Sequence, residues 1–517
     1  MRWILDKSFR AYCPLGAVLI VFLVIEIFLF RYHSYPQVLG ETDGIGYMDR
    51  AAGPLFQADA FHGPGYSWAI RLGMMWGFSP FGAAKTISLV FGVLFIFVSW
   101  RFFLAMSGPK EAFWGTVLLA FNPTILARSV YVMSDMLAVG LFMSALALLL
   151  LPSKSTIWPG VLAGVLGGLA YLTRYVYIII VVLPVIFWFF RLLAHNERQK
   201  NLISLLCFYL GFVGITLPWF IFLYQVKGNP FWNHNHLNIA LNMYIGTLGW
   251  HGPPPLEDFP NLLAVIRSDP RLFFQSWAGG FLYMPWRMLQ YYPETGVIAA
   301  VGFFCWLAQM NRIKMGLLLT ILLYSLAVSV LWLSDRFVLL LFPLVAACMV
   351  SGLFAIPKRI YRQNLSGRLG RGLGRIPLRL FAFGVVGLFL PFSAVRKIPG
   401  FFADQALEYQ RAAEYLRATA PAQSSILTAK PHIPYYSDMQ CLDYRSFYMQ
   451  KAQLEDLPGI LEQARPDFFI YDQRYAQTAF EQFEVFLEPR RNPYPDLLQC
   501  VHQIETPKKV VIYKYLK

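Results

Sequence analysis

Asp43 stands in Gly40-Glu41-Thr42-Asp43-Gly44-Ile45-Gly46-Tyr47-Met48-Asp49-Arg50, directly after the first long apolar run of the chain. A carboxylate in a polar, glycine-bearing loop that close to a bilayer is where an enzyme acting on a lipid-borne substrate would keep a base. The plain alternative is a surface turn, since Asp followed by Gly is common there. Further ionisable residues fall at the same end of their apolar runs: Arg128 and Asp135 flank one turn, Arg174 follows another run, and Arg336 opens a third. Charges in or beside spans mark either substrate paths or paired structural sites. Asp135 follows Ser134, so it could serve only as a helix N-cap, or it could pair with an arginine. Arg174 and Arg336 could simply snorkel to the interface. Their forks also fit phosphate oxygens, and two of them at one depth would make a phosphate clamp. His62, in Phe61-His62-Gly63-Pro64-Gly65-Tyr66, is either a structural residue of a tight turn or a contact for a phosphate or leaving group. His234 and His236 offer imidazoles to a transition metal, without the helical spacing that fixes a metal site. Glu26, inside the first apolar run, calls for a polar partner on another run rather than for a catalytic role.

Such residues need a scaffold to hold them. With 57% hydrophobic and 14% charged residues over 517 positions, the chain is too apolar for a soluble protein and too long for one small domain. About eleven stretches approach the ~20 apolar residues of a membrane-spanning helix, with no β-barrel alternation between them. The first, from Tyr12 to Phe30, is too long for a cleaved signal peptide and is kept as a signal anchor. The rest run from Ala83 to Phe103, Ala112 to Arg128, Ser134 to Leu151, Ile157 to Tyr171, Tyr175 to Leu193, Leu202 to Tyr224, Thr295 to Gln309, Met315 to Leu333, Phe337 to Ile356 and Leu378 to Val395.

A formal charge of +15 raises the question of nucleic acid, but the basic residues collect in short loops between apolar runs, which is how membrane orientation is set. Topology accounts for the charge without a nucleic-acid partner. With Arg2, Lys7 and Arg10 in the cytoplasm, the loops 31–82 and 225–294 fall outside, and Tyr66 to Leu72 reads as a helix lying on the outer interface. Lys154, the Arg191 to Lys200 segment, Arg312 with Lys314, and the dense Lys358 to Arg379 loop all fall inside. That last loop reads as an anchor on anionic membrane lipids.

After Val395 the composition changes. The tail holds most of the acidic residues, an amphipathic segment from Asp404 to Thr419, and β-like runs at Ser425 to Thr428, Phe468 to Tyr471 and Val510 to Tyr513. The expected fold is therefore a polytopic α-helical membrane protein of about 11 transmembrane helices, spanning 1–395, with a small C-terminal α/β domain over 396–517 in a periplasm-like space. There Cys441 and Cys500 could join in a disulfide or stay as two buried thiols. No C-x-x-C pair is present, so a structural zinc site has no support.

The order of these motifs resembles a known family. Glu41-Thr42-Asp43 with Tyr47 and Ala51, then His62-Gly63-Pro64-Gly65-Tyr66, Ser134-Asp135 opening a span, Gly168-Leu169-Ala170-Tyr171-Leu172-Thr173-Arg174, and Asp335-Arg336-Phe337 ahead of Phe342-Pro343 are similar to the GT-C superfamily of polyprenyl-phosphate-sugar glycosyltransferases. The likeness is to its bacterial protein-O-mannosyltransferase and aminoarabinose-transferase members. It implies an inverting transfer of a sugar from a polyprenyl-phosphate donor to a glycan, lipid or protein acceptor on the outer face of the inner membrane. Asp43 would orient or deprotonate the acceptor hydroxyl, with Glu41, Tyr47 and Asp135 in support. Arg174, Arg336, Arg128 and His62 would meet the donor phosphate. The sequence departs from the family where Thr42 separates Glu41 from Asp43, which leaves a divalent metal at that pair in doubt, and where His62 and Arg174 stand in place of lysines.

Two other classes predict different signs. A transporter or flippase of a lipid-linked substrate would show internal repeats and broken spans near the midplane, and no repeat is evident. A non-catalytic envelope scaffold would tolerate Asp43→Asn.

Overall fold

The computed structural model describes residues 2–32, 43–151, 157–193, 198–244, 254, 256–291, 296–331, 335–364, 406–442, 453–474 and 481–516. Glu41, the Leu378 to Val395 span and the basic loop beyond residue 364 lie outside them. The chain divides into two compact units. One holds Met1–His33, Arg50–Asn233 and Phe273–Phe401, and the other holds Ser34–Asp49, His234–Leu272 and Phe402–Lys517.

The first half of the chain is helical: α1 (Arg2–Tyr32), α2 (Asp43–Ala52), α3 (Gly65–Met75), α4 (Pro80–Ser107), α5 (Pro109–Ala120), α6 (Pro123–Arg128), α7 (Asp135–Leu150), α8 (Ile157–Thr173), α9 (Leu183–Leu193) and α10 (Arg198–Lys227). It continues through α11 (Asn235–Tyr244), α12 (Leu262–Ser268), α13 (Pro270–Tyr291), α14 (Gly296–Leu307), α15 (Arg312–Val328) and α16 (Phe342–Asn364), with 3-10 turns at Tyr175–Val181 and Asp335–Leu341. Among the described residues, Pro14–Arg31, Pro80–Ser107, Leu202–Lys227 and Arg336–Phe354 are long and apolar enough to cross a membrane, and Asp135–Leu150, Ile157–Thr173 and Tyr175–Phe189 are shorter apolar segments.

Local chemistry sets the breaks. The stretch from Ala112 to Arg128, expected as one span, is two helices, because Asn122 caps α6 by accepting from Thr124 N at 2.8 Å and Pro123 has no N–H with which to continue α5. With 12 residues, α5 is only about 18 Å long against a hydrocarbon core of roughly 30 Å. The segment from Tyr175 to Leu193 likewise begins as a 3-10 turn before α9. The long loop 225–294 contains α11, α12 and α13. Of these, α13 reaches the first unit's α15, with Trp277 Nε1 donating to Leu326 O at 2.9 Å.

Helices α8 and α10 pack closely. Gly160, Gly164 and Gly168 recur every fourth residue along α8, and a Cβ at Gly164 would overlap the Phe208 carbonyl, so only small residues permit this approach. Glu26 is fully buried on α1, and its electrostatic partner is Lys85 of α4, whose Nζ donates to Phe30 O at 2.7 Å. The polar partner expected for Glu26 on another span is thus identified.

In the second unit α17 (Leu407–Thr419) precedes β1 (Ser425–Thr428), α18 (His432–Ser437), β2 (Gln440–Cys441), α19 (Leu457–Ala464), β3 (Phe468–Asp472), β4 (Leu498–Ile504) and β5 (Val510–Tyr515). The five strands are ordered β2-β1-β3-β5-β4, with β1 parallel to β2 and β3, and β5 antiparallel to β3 and β4. All five residues of β3 are buried, as suits a central strand covered on both faces. The helix and three strands expected in the tail are present within three residues of their bounds. Cys441 and Cys500 lie on the two opposite edge strands. Four inter-strand steps put them on the order of 19 Å apart, where a disulfide needs Cα atoms within about 7 Å, so they do not bridge each other.

Candidate active site

Within the first unit, four separate elements deliver charged side chains to one place. Arg128 ends α6, Asp135 opens α7, Arg174 holds the extended residue between α8 and the 3-10 turn, and Arg336 lies in the 3-10 turn ahead of α16. Thr173 closes α8 with its hydroxyl on Leu169 O at 2.7 Å, and Arg174 then leaves the helix at φ −146°, which swings its side chain out of the helix line.

Asp135 is the anion of the group. Its side chain is 1% exposed, ion-paired with Arg174 through Oδ1, and 3.7 Å from Arg128 Nη1 through Oδ2. The capping position belongs to Ser134, whose side chain makes no cap hydrogen bond. Asp135 therefore acts as a counter-ion rather than as a cap.

Phe337, which entered the sequence reading only as a motif neighbour of Arg336 with no role of its own, gathers two of the cations. The Cζ atoms of Arg174 and Arg336 lie 5.0 and 5.2 Å from the centroid of its ring, within cation–π range. Arg128 in turn lies 5.4 Å from the Tyr131 ring. Below Arg174 an aromatic layer continues the site, with Tyr177 stacked on Tyr324 at 5.6 Å and Phe142 at 4.8 Å. Arg174 and Arg128 thus share Asp135, and Arg336 shares the Phe337 ring with Arg174, in a partly buried setting where electrostatics are stronger than in water.

A second group lies in the loop after α2. Asp59 takes Phe61 N at 2.8 Å, His62 N at 2.7 Å and His62 Nδ1 at 3.0 Å on one oxygen and pairs with Arg50 through the other. Burial raises the Asp59 pKa, but the hydrogen bond and charge of His62, the Arg50 charge and the Phe61 amide outweigh it and hold the carboxyl well below the usual carboxylate range. The loop beyond it is pressed on the end of α8. A Cβ at Gly63 would overlap the Leu172 carbonyl, and one at Gly65 would meet Thr173 Oγ1 at 2.6 Å. Hence His62-Gly63-Pro64-Gly65 abuts the two residues that precede Arg174. Asp59 carried no sequence signal, being one acidic residue in a short polar stretch.

In the second unit Asp43 opens α2, half-buried in the first turn, where a carboxylate favours the helix dipole. Tyr47 is buried one turn later at 2% exposure. The His234 and His236 rings lie 6.0 Å apart, and His236 Nε2 is 2.9 Å from the Phe259 carbonyl, while burial pushes the His236 pKa down. Among the described residues no three His, Cys, Asp or Glu side chains gather as a metal site requires.

No protein-family model matches the chain, and no curated protein is similar enough to match it. Solved structures do resemble it. The structure of ArnT from Cupriavidus metallidurans bound to undecaprenyl phosphate matches with a TM-score of 0.54 at 13% identity, over 95% of this chain and 97% of that one. Archaeal oligosaccharyltransferase AglB from Archaeoglobus fulgidus, in complex with an inhibitory peptide and a dolichol-phosphate, matches with a TM-score of 0.52 at 15% identity, over 90% of this chain and 70% of that one. The Archaeoglobus fulgidus oligosaccharyltransferase in complex with Zn and sulfate matches at 0.56 and 14% identity, over 91% and 71%. The chain thus shares the fold of these structures, as the resemblance carried by its motif order led one to expect.

Proposed function

We propose that this chain is an integral-membrane glycosyltransferase, moving a sugar from a polyprenyl-phosphate donor to an acceptor on the outer face of the inner membrane. The observation that carries this reading is that Arg128 and Arg174 meet on Asp135 while Arg174 and Arg336 meet on the Phe337 ring. A phosphate anion matches the fork geometry of guanidinium groups. Two neighbours in fold point the same way, since one is bound to undecaprenyl phosphate and the other to a dolichol-phosphate.

Asp43 takes the proton of the acceptor hydroxyl as its oxygen attacks the anomeric carbon. The bond from that carbon to the phosphate oxygen breaks on the opposite face, inverting the centre, and the electron pair leaves with the polyprenyl phosphate. The proton rests on Asp43, and the charge growing on the phosphate is met by Arg174, Arg336 and Arg128. A positioned carboxylate is worth roughly 10²- to 10⁴-fold in such a step, and each aligned donor at the developing charge about 10²- to 10³-fold. The polar stretches 31–82 and 225–294 face outward by the charge of the remaining loops.

The test is transfer of label from polyprenyl-phosphate sugars by the purified protein in lipid nanodiscs, with Asp43→Asn beside wild type. Product from wild type and a rate at least about 100-fold lower in the variant are expected. Equal rates remove Asp43 from catalysis. Movement of label across the bilayer of proteoliposomes without any glycosylated product favours a flippase instead.

A further inference from the structure

Among the six residues of α18, His432, Ile433, Pro434, Tyr436 and Ser437 are buried, and Tyr435 is half-exposed. The helix itself is well held. The Arg417 guanidinium donates to Tyr436 O, Ser437 Oγ donates to Ile433 O at 2.8 Å, and the His432 ring lies 5.5 Å from that of Tyr409, whose hydroxyl donates to Asp472 Oδ1 at 2.7 Å. α18 is therefore a fixed platform of the tail, tied to α17 and β3.

From this platform the Tyr435 hydroxyl reaches Met48 Sδ of α2 at 3.7 Å. Met48 is 1% exposed and Ile45 1%, so the face of α2 that carries them is covered. Burial, with the nearby Asp49 charge, pushes the Tyr435 hydroxyl up to about 12, so it stays a donor at any working pH. Asp43 lies five residues before Met48, about 7.5 Å along the axis of a rigid helix, and fixing one end of so short a rod fixes the direction of the other.

We propose that Tyr435 is a positioning residue for Asp43: the C-terminal domain clamps the acidic helix through the Tyr435–Met48 contact and so sets where the carboxylate points. This rests on the reading of Asp43 as the base of a transfer reaction. A thioether is a weak acceptor, so the ring carries more of the contact than the hydroxyl does.

The test joins two readouts on the full-length protein in nanodiscs: hydrogen exchange of the α2 amides, and steady-state transfer with a labelled polyprenyl-phosphate sugar. In Tyr435→Ala, α2 exchange is expected to rise about tenfold and kcat to fall about tenfold, with the donor KM within twofold, because a misaimed base costs rate rather than donor binding. Met48→Ala should reproduce both effects, and the double variant should be no worse than either single one. Tyr435→Phe, which keeps the ring and hence the fold, should change both readouts by less than about threefold, whereas Met48→Asp should match Tyr435→Ala. Unchanged α2 exchange in Tyr435→Ala and Met48→Asp overturns the clamp. Faster exchange with unchanged kcat leaves the clamp standing and overturns the assignment of Asp43 as the base it positions.

Discussion

Asp135 decides how the arginine cluster behaves before any substrate arrives. It neutralises part of the charge of Arg128 and Arg174, whose side chains are 8% and 16% exposed. Removing one member of a buried ion group typically costs about 3–5 kcal/mol. Asp135→Ala is accordingly expected to lower the thermal unfolding midpoint in detergent far more than Asp43→Ala, whose carboxylate is half-buried at a helix end. Arg174→Lys keeps the charge but loses the fork, so it should weaken binding of a polyprenyl phosphate by about tenfold, and Arg174→Ala by more, as titration with a fluorescent lipid phosphate would report. The sequence placed Asp135, Arg174 and Arg336 at one depth, because span ends are readable from apolar runs. Phe337 was read only as part of a motif, since a phenylalanine in an apolar run reveals its neighbours only once the 3-10 turn has formed.

Elements explain why the cluster holds its shape. The Asp59 clamp and the glycines beyond it press the loop 53–65 on the end of α8, helped by Arg71 Nη1 on Gly53 O at 2.6 Å and Trp68 Nε1 on Leu55 O at 2.7 Å. Gly63→Ala must push this loop off the Leu172 carbonyl, a strain of about 1–3 kcal/mol that displaces His62 and the residues before Arg174. Transfer should fall while the helices remain folded, a combination that circular dichroism and a rate assay would detect together. The pairing of Asp59 also has a pH signature. Its folded pKa lies below that of the unfolded chain, so its contribution is complete above about pH 4, the unfolded carboxyl value, and is lost in stronger acid. Limited proteolysis of the loop 53–65 should be flat from pH 8 to about pH 5 and rise only below that, whereas Asp59→Asn should be cleaved faster already at neutral pH. The break at Asn122-Pro123 was open to view in the sequence as a cap followed by proline, and Asp269-Pro270 announced α13 in the same way, with Asp269 Oδ1 accepting from Leu272 N at 2.8 Å. Both were submerged in longer stretches read for hydropathy alone. Asp59 was hidden for another reason, because its ligands are backbone amides that no residue type announces.

On the scale of the whole molecule, composition gave the membrane class, and alternating apolar runs gave the strands of the tail. Strand order did not follow from either, since pairing is long-range. That order separates Cys441 from Cys500 across the sheet, so the protein should run alike on reducing and non-reducing gels, and Cys441→Ser should leave its unfolding midpoint within about 1 °C. On the proposed reading Asp43 and the arginines have different tasks, an acceptor-side carboxylate and a donor-side phosphate clamp, and a single binding measurement separates them. The affinity of the nanodisc-embedded protein for a polyprenyl phosphate without sugar should fall at least about tenfold in Arg174→Ala and in Arg336→Ala, and stay within about twofold of wild type in Asp43→Asn. Undiminished affinity in both arginine variants would contradict the account.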